Sequence, residues 1–280
     1  MAVVEPLVAS HYSSEGLQDR ILAALAATGV DLAALRAEDL EPVDEFHVGG
    51  AVATAALLER FELFPGEELL DIGSGIGGPA RFVASRAGVS VTGLDLTPSF
   101  VAIATSLSQM TGLADRTRFV AGSALAMPFE DSSFDAAMIL HVGMNIPDKP
   151  QLMAEVARVL HPGGSFAVYD VMRLSEGPLS FPVPWATSAE TSFVETPDAY
   201  RAAAIAAGFS VEDERARGAF AVEFFASMRA RVAAALADGK SPPIGPGFVM
   251  GPDAPVKIAN LVAALEGGVL APVEMILRLA

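Results

Sequence analysis

A change of rhythm near residue 67 constrains this chain more than any other feature. From there to residue 173, short apolar runs alternate with segments of helical periodicity. The runs are Glu68–Ile72, Val89–Leu94, Arg118–Ala121, Phe134–Leu140 and Ser165–Met172. Such runs suit strands covered by helices on both faces. The helical segments between them carry their own start and stop signals. Pro79 opens one and Gly88 closes it. Thr97-Pro98 opens the next, which stops at Gly112. Asp148 caps a third, whose Leu152, Val156, Val159 and Leu160 share a face before Pro162-Gly163-Gly164 ends it. This alternation predicts an α/β fold with a doubly wound, mostly parallel sheet.

The flanks read differently. Residues 1–65 are helical in pattern, with an apolar stripe of Leu17, Ile21, Leu22 and Leu25, a second stretch near Leu32–Leu35 and a third from about Gly50 to Phe61. We expect them to form an N-terminal helical lid on a core spanning 66–280. Residues 174–195 hold Phe181-Pro182-Val183-Pro184-Trp185, too proline-rich for a regular element. A helix follows from Thr196 to Gly208, then a strand over Ser210–Arg215. Residues 220–265 form a helical insertion, broken by a loop over Ser241–Pro255, before a last strand at Pro272–Leu279. The additions at 174–195 and 220–265 are placed beside a substrate pocket.

Charge and composition narrow the function. Acids outnumber bases 34 to 18, a net charge of −16, which repels nucleic acid and anionic membrane surfaces. There are no cysteines, so thiolate nucleophiles, disulfides and zinc-thiolate sites are excluded. Four histidines and no ligand cluster argue against a metal site. No run is long and apolar enough to span a bilayer, and residues 1–15 lack a basic leader. The expectation is a cytoplasmic protein with a small-molecule partner, with a homodimer left open.

Residues 71–78 read Asp-Ile-Gly-Ser-Gly-Ile-Gly-Gly, in which Gly73, Gly75 and Gly78 satisfy G-x-G-x-x-G. Glycines there allow a sharp turn and a close ligand approach, and the following helix offers free N–H groups. Many nucleotide-binding folds share this loop. Asp95, at the end of the second strand, can accept hydrogen bonds from ribose hydroxyls. Asp71 discriminates further. A carboxylate before the first glycine repels a pyrophosphate but suits a cationic amino acid. S-adenosyl-L-methionine has an ammonium, a sulfonium and no phosphate.

LLDIGSGIGGPARF resembles motif I of class I S-adenosylmethionine-dependent methyltransferases, VTGLDLTP their second-strand motif, and GSALAMPFEDSSFDAAMILH and EVARVLHPGGSFAVYD their third to fifth strands. The likeness covers about residues 45–215. DEFHVGG, GIGGPAR, HVGMNI and FPVPW further resemble a small-molecule subgroup of the ubiquinone/menaquinone-biosynthesis type. The resemblance implies a Rossmann-like, seven-stranded sheet. It implies that Asp71, Gly73, Ser74, Gly75 and Gly77 line the methionine end of the cofactor. Asp95 would hold the ribose, with Leu96 beside the adenine. Ser123-Ala124 stand where many members have Asp-Ala facing the adenine amino group. His141, ending strand four, would face the transferable methyl.

Most of the remaining candidates have two readings. His141 is a general base or a packing residue. Asn145 orients substrate or closes the turn before Pro147. His47 lies in a pocket or is a satisfied polar group. His161 answers a helix end. His11-Tyr12 closes over the cofactor. Arg81 reaches a carboxylate or lies on a solvated face. Trp185, with Phe181 and Phe193, walls an apolar substrate or packs the core, and Phe224, Phe225 and Met228 roof the same pocket. The function expected is methyl transfer to an O, N or C atom of a small, largely apolar metabolite. The alternatives are an NAD-dependent oxidoreductase and a non-catalytic cofactor-binding protein.

Overall fold

The computed structural model describes residues 4–12, 16–245 and 250–280, without the side chains of residues 10–12. Seven strands form one sheet: β1 (Glu68–Ile72), β2 (Ser90–Asp95), β3 (Thr117–Ala121), β4 (Phe134–Leu140), β5 (Leu160–Arg173), β6 (Phe209–Ala216) and β7 (Leu270–Leu279). Their order is β3-β2-β1-β4-β5-β7-β6. The pairs from β3 to β5 are parallel, and β7 runs antiparallel to both neighbours. The sheet is therefore doubly wound and mostly parallel, as expected. The order reverses beside β1, so the carboxyl ends of β1, β2 and β4 open on one crevice.

Among the described residues, ten helices surround the sheet: α1 (Val4–Tyr12), α2 (Leu17–Ala27), α3 (Ala37–Asp44), α4 (Gly50–Leu58), α5 (Gly78–Ala87), α6 (Pro98–Met110), α7 (Lys149–Val159), α8 (Pro197–Ala206), α9 (Gly218–Ala237) and α10 (Ala254–Glu266). Side-chain alternation assigns the layers. On β1, Leu70 and Ile72 pack with Leu152, Met153 and Val156 of α7 and with Tyr200 and Ala204 of α8. Leu69, just before them, packs with Ala53 and Leu57 of α4 and with Val83 and Ala84 of α5. β4 and β5 repeat this division, with Ile139 and Val168 on one face and Met138 and Ala167 on the other. Burial on both faces is why these strands read as unbroken apolar runs. Beyond α5, the stripe Leu17, Ile21 and Leu25 meets Leu40 and Val43 of α3 and Phe100, Ile103 and Leu107 of α6.

Several boundaries differ from the sequence reading. The stretch near Leu32–Leu35 is a short 3-10 turn, and the regular helix, α3, comes after it with Pro42 inside. β5 starts at Leu160, which pairs with Phe134, and a register shift separates that pair from Ala136–Ser165. Pro162-Gly163-Gly164 thus lies within a bulged strand rather than before it. Asp148 and Thr196 cap as expected, accepting from the N–H groups of Gln151 and Ala199. Thr97 occupies the cap position of α6, but its side chain caps nothing. α10 begins at Ala254, with Pro255 in its first turn.

Candidate active site

The glycine loop folds under one tight restraint. Gly73 has φ +72°, and a Cβ there would stand 2.4 Å from Val142 Cγ2. Only glycine lets the β1 turn press against the end of β4. Asp95 then ties the loop to β2, one oxygen accepting from Gly75 N–H and the other from Thr97 N–H, both at 2.8 Å. Burial raises its pKa to about 6 against the pull of these amides.

A cavity of about 230 Å³ opens above this loop. Of the sequence candidates, Gly73, Ser74, Gly75, Asp95, Leu96, Ala124, His141, Asn145, His47 and Trp185 line it. Asp71, Gly77 and Ser123 do not, and each has a physical reason. Asp71 is 2% exposed beneath the loop. Gly77 faces inward, where an added Cβ would meet Arg81 and Phe119. Ser123 Oγ donates to Glu5 of α1 and accepts from Leu125 N–H, so its hydroxyl is engaged by α1 and by the turn that follows it. The side chains of His11 and Tyr12 lie outside the described residues.

The sequence reading missed the acids just before the loop. Asp44, ending α3, lines the cavity. Arg81 is fully buried, so of its two readings the solvated face falls and the carboxylate partner stands, as an acidic side chain of this chain. It donates to Asp44 Oδ2 and Ile76 O, each at 2.8 Å, and to Ala104 O at 3.3 Å. α5 can meet Asp44 only because Gly78 lacks a side chain, since its Cβ would fall 2.1 Å from Asp44 O. Asp44 Oδ1, Asp71 Oδ2 and Ser74 Oγ are buried and have no hydrogen-bond partner. Burial raises the pKa of Asp44, and burial with the nearby Asp95 raises Asp71 to about 8. These acceptor atoms surround the turn, and the buried Arg81 answers only the other oxygen of Asp44.

His141 ends β4 with φ +54°, an uncommon conformation for a non-glycine residue. Its Nδ1 donates to Tyr169 O at 3.2 Å, and its Nε2 faces Val48 N–H at 3.4 Å. Burial, with His47 nearby, lowers its pKa to about 3. A ring this acidic, with both nitrogens engaged, is a weak general base at neutral pH. His47 Nε2 lies 3.0 Å from Gly50 O and 3.1 Å from Thr54 Oγ, and burial lowers its pKa to about 4. Tyr169 Oη donates to Val48 O at 2.9 Å, binding the 45–49 turn to β5.

The rest of the cavity is mostly apolar. Asn145 Nδ2 donates to Trp185 O at 2.9 Å and fixes the proline-rich loop, while Trp185 Nε1 donates to Ser192 Oγ at 3.0 Å. Trp185 joins Val48, Met144, Phe224, Phe225, Met228, Ile258 and Leu261 in the lining. Phe181 and Phe193 do not reach it. His161 is exposed on a separate shallow pocket. Among the described residues, no group of His, Asp or Glu could hold a metal ion.

Residues 70–168 match the family described as "Methyltransferase domain". This chain is similar to that family over 99 of its 280 residues. Over 134 residues it is 34% identical to methyltransferase GfsG of Streptomyces halstedii, covering 48% of each protein. Over 114 residues it is 41% identical to a sterol 24-C-methyltransferase of Gibberella zeae, covering 41% of this chain and 30% of that protein. The matched length is thus about half, or less, of these curated relatives. A structure of geranyl diphosphate methyltransferase with its diphosphate and sinefungin shares the fold, with TM-score 0.70 and 16% identity over 99% of both chains. The matched segment thus runs from within β1 to within β5 and includes the glycine loop, while β6, β7, Asp44, His47, Trp185 and the α9–α10 roof lie outside it. No helix among the described residues is long and apolar enough to cross a membrane.

Proposed function

We propose that this protein transfers a methyl group from S-adenosyl-L-methionine to a small, largely apolar acceptor at an O, N or C atom. One observation carries the reading: Asp44, Asp71 and Ser74 hold buried acceptor atoms without partners around a glycine loop. A desolvated pair of carboxylates in which Arg81 answers one oxygen of Asp44 and none of Asp71 has negative charge left over, which fits a ligand bearing an ammonium. It does not fit a dinucleotide pyrophosphate, which disfavours the oxidoreductase alternative. The relatives' printed names, methyltransferases of sterols among them, support the same choice.

S-adenosyl-L-methionine supplies an activated methyl on a positively charged sulfur when bound. This chain's residues do the rest. Asp44 and Ser74 hold the amino-acid end from the cavity wall, Asp71 adds its charge from beneath the loop, and Gly73, Gly75 and Gly77 keep the turn open. Asp95 accepts from the ribose, and Leu96 and Ala124 border the adenine, with Ser123 relaying α1 through Glu5. His141 shapes the crevice between cofactor and acceptor, and its low pKa favours an acceptor that brings its own electron pair. Val48, Trp185 and Phe225 exclude water and bring the acceptor close, the main requirement when the donor is already activated. Residues 1–65 act as a lid, their 44–50 segment closing the crevice. The subgroup likeness rests on DEFHVGG, GIGGPAR, HVGMNI and FPVPW.

The test is calorimetry with S-adenosylhomocysteine and with NAD, followed by transfer of labelled methyl to extract-derived apolar acceptors. Binding of the first ligand only, with a labelled product, is expected. Indifference to S-adenosylhomocysteine refutes the proposal, and binding without any transfer favours a non-catalytic cofactor-binding protein.

A further inference from the structure

Two lysines of this protein are buried, and they are satisfied very differently. Lys149 Nζ donates to Ile146 O at 2.6 Å and Phe193 O at 2.8 Å, and it lies 5.3 Å from the Tyr200 ring centroid, with Asp170 and Glu195 nearby in charge. Lys257, on α10, is 8% exposed and lines the cavity. Among the described residues its Nζ has one hydrogen-bond partner, Met250 O at 3.0 Å. It makes no ion pair with any of their carboxylates, Asp253 one turn earlier included. An ammonium has three N–H donors, so Lys257 has capacity left on an apolar wall beside Phe225, Ile258 and Leu261.

Lys257 is also the one cationic side chain among the described residues that line this cavity. The other formally charged ones, Glu5, Asp44 and Asp95, are acids on α1, α3 and β2. The cavity is therefore divided. Acids stand on the glycine-loop side, apolar side chains fill the middle, and a lone ammonium sits on the α9–α10 roof. A buried charge without a counter-charge is costly, and a ligand anion placed on it removes that cost.

We propose that Lys257 is the anchor for a single negative charge on the acceptor, which makes the substrate class an apolar carboxylic acid. A diphosphate brings more negative charge than one lysine offsets in a cavity whose other formally charged lining residues are acids. A neutral apolar molecule leaves the lysine unanswered. This inference rests on the reading of the cavity as the acceptor site of the proposed methyltransferase.

The experiment uses the full chain, with geranic acid and geraniol as probes. They share one apolar chain and differ in the headgroup. Trp185, the sole tryptophan, lines the cavity and reports occupancy by its fluorescence. The expected result is that geranic acid binds at least about tenfold more tightly than geraniol, the range of a hydrogen bond to a charged group. Lys257→Met should remove this preference and leave geraniol binding within about threefold, and Lys257→Arg should keep part of it. Equal affinities in the natural protein, or an unchanged preference in Lys257→Met, would overturn the assignment. Should Lys257→Met fail to fold by circular dichroism, the acid–alcohol comparison in the natural protein decides alone. Titrating S-adenosylhomocysteine in parallel separates the two readings. Acid preference without cofactor binding sinks the methyltransferase proposal only, and cofactor binding without acid preference sinks the anchor only.

Discussion

Cofactor binding should be linked to the protonation of Asp71. Its Oδ2 is buried without a partner, and desolvation, with Asp95 nearby, raises its pKa to about 8. At pH 7 such a group is about nine-tenths protonated in the free protein. An ammonium arriving beside it favours the carboxylate, so its pKa falls on binding and the proton leaves. The group is a weaker partner when protonated. Affinity should therefore be full above pH 8 and decline as pH falls, by about tenfold per unit once below the free-state value. Calorimetric titration of S-adenosylhomocysteine in buffers of different ionisation enthalpy measures both quantities. At pH 7 about 0.9 proton should be released per site, and at pH 8.5 about 0.25. Asp71→Asn should abolish the release and flatten the pH dependence. Pre-formed neutrality of the crevice would show as no proton release at pH 7, or as release that survives in Asp71→Asn, and either result refutes the reasoning.

Further outcomes follow from the same geometry. Asp95→Ala frees the amides of Gly75 and Thr97 and should weaken S-adenosylhomocysteine binding at least about tenfold, so an unchanged dissociation constant removes the ribose assignment. Arg81→Met leaves Asp44 buried without its ion pair and should cost about 3–5 kcal/mol in urea unfolding, with a small loss arguing that the carboxyl is neutral. Gly73→Ala drives a Cβ into Val142 and should cost about 1–3 kcal/mol as well as cofactor affinity. The pH–rate profile should lack a histidine limb between about pH 5 and 7, and such a limb that vanishes in His141→Asn would reinstate His141 as a base.

Much of the sheet was legible because its strands are short and buried twice over. Leu69, Leu70 and Ile72 are all apolar, since opposite faces meet α5 and α7. The glycine loop was legible because φ and close approach leave little choice at Gly73 and Gly75. The acids of the site were only half legible. Asp71 and Asp95 stand in strands with fixed spacing to the glycines. Asp44 is brought in by tertiary contact, through Arg81 and the missing side chain of Gly78, and no local pattern announces it. Lys257 escaped for the same reason: on α10 it looks like any surface lysine until the roof closes over it. Arg81, read without its partner, was equally ambiguous.

The 44–50 segment touches both halves of the cavity, with Asp44 at the glycine loop and Val48 at the apolar wall, and Tyr169 Oη holds it to β5. Grafting experiments have to respect that. A chimera that exchanges only the strands and the α9–α10 roof would inherit a crevice missing one side. Any recombined enzyme meant to accept a new molecule should move Asp44 through Gly50 together with the roof, as one cassette.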